Sequence, residues 1–140
     1  MTFHEKSAWI MGILLALAGG WYVKNVWSAS QSIGETIPPS IGLISVVTII
    51  LVVGTIVTHT VVAAVDPENA DDTEDERDKQ VLRRSGNIAG YVLGFGCFGG
   101  LWHFYWLNDG NMLFHIIVAS LIAGQIAEYV LTILFYRRSV

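Results

Sequence analysis

Four apolar runs, residues 8–27, 41–65, 87–107 and 112–136, decide most of what this chain can become. Each holds 20 residues or more, and a helix of about 20 residues crosses the ~30 Å hydrocarbon core of a bilayer. The run 41–65 is rich in Val, Ile and Thr and would favour strand in water. In lipid an unpaired strand leaves its N–H and C=O groups unsatisfied, so helix is expected there too. Composition agrees: 53% of the 140 residues are hydrophobic and 14% are charged, where a soluble domain carries about a quarter charged. The expectation is an all-α, polytopic membrane protein with four transmembrane helices. It forms a single domain over 1–140, with helices over 8–27, 41–65, 85–107 and 112–136.

The first run carries Ala16-Leu17-Ala18, which fits a signal-peptidase site. The apolar pattern continues past it through Trp21, Tyr22, Val23, Val26 and Trp27, so an uncleaved first helix is expected. Cys97 stands alone, which excludes an intramolecular disulfide and a cysteine-based metal site. A net charge of −4 without a long basic patch argues against direct nucleic-acid binding.

Orientation follows from Lys and Arg. With four spans, the N-terminus, the second loop and the C-terminus share a side. That side holds Lys6, Arg77, Lys79, Arg83, Arg84, Arg137 and Arg138, against Lys24 alone on the other. The positive-inside rule then puts both termini in the cytoplasm. Trp21, Trp27, Trp102, Tyr105 and Trp106 make an outer aromatic belt, with Trp9 and Tyr136 at the inner interface.

The loop 66–84 is the long polar segment. Eight of the twelve carboxylates lie between Asp66 and Asp78, and the bases follow. Thr73 and Glu76 have capping-box spacing, so the third helix is expected to start near Glu74, with acids in its first turn. Arg83 and Arg84 then sit at headgroup level, where anionic lipid attracts them. Read as a surface, Asp75, Glu76, Arg77, Asp78, Arg83 and Arg84 form a contact for a cytoplasmic protein. The acids do not follow calcium-loop spacing.

Inside the spans the conspicuous groups are Glu128 and His59. Counted along their helices they lie within a turn of the same depth. Ser45, Thr48, Thr55 and His59 share one face of the second helix, and Gln125, Glu128 and Thr132 share one face of the fourth. Facing polar stripes would bring His59, Glu128 and Gln125 together. Such a set reads either as interhelical hydrogen bonding or as a proton-coupled switch, because an ionisable group in hydrocarbon is costly. His103 and His115, near the outer ends of neighbouring helices, raise a third reading. With Gly96, Gly99 and Gly100 beside His103, they could be the ligands of a bis-histidine haem. Gly86, Gly90 and Gly94 recur every four residues, the small-residue spacing that lets membrane helices approach, within one chain or between two in a homo-oligomer.

Taken in order, "FHEKSAWIM", His59 followed by "DPE", "DERDKQVLRRSGNIAGYVL", "AEYV" and the terminal "YRR" resemble a family of small bacterial membrane proteins of unknown function. These are four-helix proteins with an Asp-Glu-Arg-Asp signature before the third helix, here Asp75, Glu76, Arg77 and Asp78. The segment 28–40 carries none of the resemblance. The resemblance implies a multi-pass protein of the bacterial inner membrane, with His59 and Glu128 as the family's buried pair and a cytoplasmic regulatory protein as partner. No nucleophile-with-base arrangement, phosphate loop or catalytic carboxylate pair is present. A non-enzymatic interaction or signalling protein without a cofactor or metal is therefore expected, contacting its partner through 66–84. A small proton-coupled transporter or channel subunit using Glu128 and His59 is the alternative, and a haem electron carrier the second.

Overall fold

The computed structural model describes residues 3–65 and 76–138. Within them the chain forms four helices: α1 (Phe3–Ile33), α2 (Ile41–Val65), α3 (Glu76–Leu107) and α4 (Gly110–Arg138). Thr73, Glu74, Asp75 and the proposed capping box lie outside the described residues. At 1.5 Å per residue, the 31 residues of α1 and 32 of α3 extend about 46–48 Å, more than a bilayer core. These helices therefore run past the apolar segments that define them.

Local chemistry sets the ends. Gly34 has φ +76° and its N–H meets Ser30 O at 3.0 Å, a left-handed cap that stops α1. Pro38 and Pro39 keep the next residues extended, and Ser40 Oγ accepts from Leu43 N at the start of α2. Asn108, at φ 51°, closes α3 with its N–H on Phe104 O at 2.8 Å. Asp109 then caps α4, its Oδ1 accepting from Met112 N at 2.9 Å. A two-residue turn thus folds α3 back along α4.

The α3–α4 hairpin is the most extensive packing. α1 lies against α4, and α2 lies against α1. On α1, the residues Ala8, Met11, Leu15, Ala18 and Tyr22 recur every three or four positions and are all buried, which defines its inward stripe. Small residues bring the backbones together. A methyl group at Gly19 would stand 2.6 Å from Ile122 Cγ2, one at Gly54 would collide with Leu14, and one at Gly96 with Ser120. Gly124 packs near Ala89 O in the same way.

The outside of the bundle is apolar. Leu17, Ile49, Ile56, Tyr91, Phe95 and Phe98 all project outward, a pattern expected where lipid is the neighbour. On α2 the threonines satisfy themselves: Thr48, Thr55 and Thr60 donate to the carbonyls of Ile44, Leu51 and Ile56 at 2.7–2.9 Å. Such back-bonding lets a hydroxyl enter hydrocarbon without a partner helix. Three helices, α1, α2 and α4, are long and apolar enough to cross a membrane. The fourth expected span, within α3, falls short by composition. Six glycines and the sequence Trp102-His103-Phe104-Tyr105-Trp106 dilute its hydropathy, although its length is that of a span.

Candidate functional site

Glu128 is half-buried on α4. Gln125, one turn earlier, donates from Nε2 to Glu128 Oε2 at 3.0 Å. The other carboxyl oxygen faces Gly86 of α3, 3.7 Å from where a Cβ would stand. Gly86 therefore leaves open ground beside the acid. Thr132 turns away: it donates to Ser85 Oγ at 2.9 Å, and the fully buried Ser85 hydroxyl passes its own proton to the Val81 and Leu82 carbonyls at 2.9 and 3.0 Å. That chain is closed on itself.

Glu128 borders a cavity of about 240 Å³ to which all four helices contribute. α1 supplies Ser7 and Met11, α2 supplies Thr55 and His59, and α3 supplies Leu82. Tyr129 and Thr132 line it beside Glu128. His59 and Glu128 thus share one cavity, while Gln125 reaches it through its bond to Glu128. Along α2, Thr55 lines the cavity, whereas Ser45 and Thr48 are exposed on the outside. The reason is the helix order. α1 lies between α2 and α4, so the upper part of α2 has no polar face to meet.

The end of the bundle that holds Glu5, Asp78 and Arg137 is pinned by three contacts. Asp78 Oδ1 accepts from Tyr136 OH at 2.5 Å, Glu5 accepts from Arg137 Nε at 3.4 Å, and Arg137 also covers the Trp9 ring at 5.6 Å. Of the loop residues singled out, Glu76 pairs with Lys79 at 3.0 Å. Arg77, Arg83 and Arg84 are exposed, and Arg84 sits over the Phe135 ring at 4.8 Å.

The opposite end, at the α3–α4 turn, carries a polar clasp that sequence reasoning missed. Tyr22 OH meets His115 Nδ1 at 2.7 Å, and His115 Nε2 meets the Ile37 carbonyl at 2.9 Å. A carbonyl only accepts, so Nε2 donates to Ile37 O, while Nδ1 shares a hydrogen bond with the Tyr22 hydroxyl. Thr36 donates to Asp109 Oδ2 at 2.9 Å, and Asn111 donates to the Thr36 carbonyl at 3.2 Å. The loop 34–40 is thereby tied to the α3–α4 turn. Asp109 is held below the usual carboxylate range, first by the Met112 N–H and then by Thr36. His115 therefore has both ring nitrogens engaged and would have to surrender one to ligate iron. His103 Nδ1 is buried without a hydrogen-bond partner. Among the described residues no three His, Cys, Asp or Glu side chains group as metal ligands. Gly86 faces Glu128, whereas Gly90 and Gly94 have open space beside them.

Two sequence signals pointed to the clasp. Asp109 stands three residues before the apolar run that begins at Met112, within reach of an N-cap position, and Gly34 with Pro38-Pro39 marks a structured turn. Nothing in the sequence pairs Tyr22 with His115, which are 93 positions apart.

The chain belongs to the family described as Predicted membrane protein (DUF2178), which it matches over residues 4–140. No curated protein and no solved structure matched it.

Proposed function

We propose that this family member crosses the membrane four times with both termini on the basic, cytoplasmic side of a bacterial inner membrane, and that its working element is the cavity shared by His59 and Glu128. α3 is joined to the membrane-length α4 by a two-residue turn and packs along it, which supports a fourth span. Its outward Tyr91, Phe95 and Phe98 suit lipid. Arg137, Arg138, Lys79 and Arg84 at one end of this hairpin support the orientation.

The observation that carries the functional reading is that a carboxyl and an imidazole from within the apolar runs line one cavity bounded by all four helices. An ionisable carboxyl and an imidazole are costly groups to hold within a membrane span, and each is less so with the other at hand. Tyr129 is the other titratable group on this wall. Uptake or loss of a proton thus changes which packing of the cavity is favoured. α2 is the helix best able to respond, because its extensive packing is on α1 alone. The protein is read as a small proton-linked carrier or channel subunit, with Glu128 as the proton site, His59 as its charge partner and Gln125 as the group orienting the carboxyl.

Hydrogen exchange of the reconstituted full chain tests this. Acidification should change the protection of α2 in the wild type, and Glu128→Gln, which mimics the neutral acid, should hold the acidic pattern at neutral pH. Exchange that ignores pH in the wild type, or that Glu128→Gln leaves unaltered, refutes the reading.

A second reading, contact with a cytoplasmic regulatory protein through 66–84, is favoured by one feature. α3 begins at Glu76 and presents Glu76, Arg77, Gln80, Arg83 and Arg84 on exposed positions before its apolar part. Charge reversal at Glu76 should abolish capture of such a partner while Glu128→Gln keeps it. The opposite result discards this reading.

A further inference from the structure

Between α3 and α4, at the basic end, lies a second cavity of about 530 Å³. Its walls are Arg77, Gln80, Val81 and Arg84 of α3, with Phe135 and Arg138 of α4. Among the described residues, three guanidinium groups and one carboxamide border it, and no carboxylate does. Two acids near this end are directed elsewhere: Asp78 accepts from Tyr136 and Glu76 pairs with Lys79. Arg84 is braced over the Phe135 ring at 4.8 Å, which orients its planar fork.

We infer that this cavity binds the phosphodiester headgroup of an anionic membrane lipid. Guanidinium forks match phosphate oxygens in paired, charge-assisted hydrogen bonds. Position selects the lipid as the source of that phosphate. Arg84 lies three residues before the apolar run that begins at Asn87, and Arg138 two residues after Tyr136, so the arginines stand where lipid phosphates do. Val81 and Phe135 add an apolar wall for the glycerol and the first acyl carbons. Basic cavities between membrane helices on the cytoplasmic side suit such headgroups. The site is distinct from a general basic collar, because Arg83 and Arg137 do not border it; Arg137 is engaged with Glu5 and Trp9.

Native mass spectrometry of the purified full chain, titrated with phosphatidylglycerol, phosphatidylcholine or inorganic phosphate, decides the matter. One phosphatidylglycerol per chain should be retained in preference to phosphatidylcholine. Arg84→Gln and Arg138→Gln should each weaken retention about fivefold, and Arg83→Gln should leave it unchanged. Arg84→Lys, which keeps the charge and loses the fork, should fall between wild type and Arg84→Gln and covers the case in which the glutamine variants fail to fold. Equal retention of phosphatidylcholine, or a loss in Arg83→Gln as large as in Arg84→Gln, overturns the inference. Displacement of the lipid by an equal concentration of inorganic phosphate overturns the choice of a lipid occupant.

Discussion

Removing His115 should loosen the end of the bundle at the α3–α4 turn by an amount that can be worked out from its two bonds. Tyr22 is 2% exposed and His115 6%, so neither can turn to solvent for a replacement partner. His115→Leu keeps most of the volume, strands the Tyr22 hydroxyl and frees the Ile37 carbonyl. Each buried unsatisfied group costs about 1–3 kcal/mol, and the Ile37 carbonyl, at the loop, recovers part of its share from water. A total of about 2–3 kcal/mol is expected. Tyr22→Phe strands only His115 Nδ1 and should cost about 1–2 kcal/mol. The double variant removes donor and acceptor together, so it should be less damaging than the sum of the singles by about 1 kcal/mol, near the upper range of cycles measured between membrane helices. Unfolding of the four proteins in mixed micelles, followed by tryptophan fluorescence, gives the cycle. Additivity within about 0.5 kcal/mol would show that the bond contributes nothing specific, and the clasp would be discarded as a stabilising element.

Asp109→Ala should cost about 1 kcal/mol through loss of the α4 cap. The folded state holds this carboxyl below its ordinary range, so its contribution is complete above that range and is lost as pH falls through the lowered value. Wild type should therefore show an acid-destabilised limb that Asp109→Asn lacks, read by thermal melts at descending pH. Identical acid limbs would count against the Met112 and Thr36 contacts. Gly96→Ala should destabilise the α3–α4 hairpin by about 1–3 kcal/mol, because its methyl group collides with Ser120. Gly90→Ala, with nothing within 4 Å, should be neutral or stabilise by up to about 1 kcal/mol through helix propensity. Equal effects in the same micelle assay would contradict the packing. Glu128→Gln in hydrogen exchange and the arginine series in lipid retention complete the set.

The polar lining of the cavity was partly legible before any tertiary structure. Counting 1.5 Å per residue put His59 and Glu128 at similar depth, and they do line one cavity. The polar stripe that led there does not reach the cavity at Ser45 and Thr48, which are exposed; Thr48 bonds the Ile44 carbonyl one turn earlier and needs no facing partner. The basic cavity was hidden for a related reason: Arg83 and Arg84 are adjacent in sequence, and only the partner helix decides which of them meets Phe135.

By itself the sequence determined that the described chain is helical and that most of its surface is apolar. Runs of 20 or more apolar residues leave an isolated segment no other way to satisfy its backbone in lipid. The caps at Gly34 and Asp109 also obey local rules, although the apolar runs alone placed those helix ends at residues 27 and 112. Tertiary structure alone decided that α1 lies between α2 and α4, that Tyr22 finds His115, and that Gly86 and not Gly90 or Gly94 faces a neighbouring helix. Periodicity states which residues share a face of a helix; what that face meets depends on close approaches such as Gly54 to Leu14 and Gly96 to Ser120, which involve residues far apart in the chain and follow from packing.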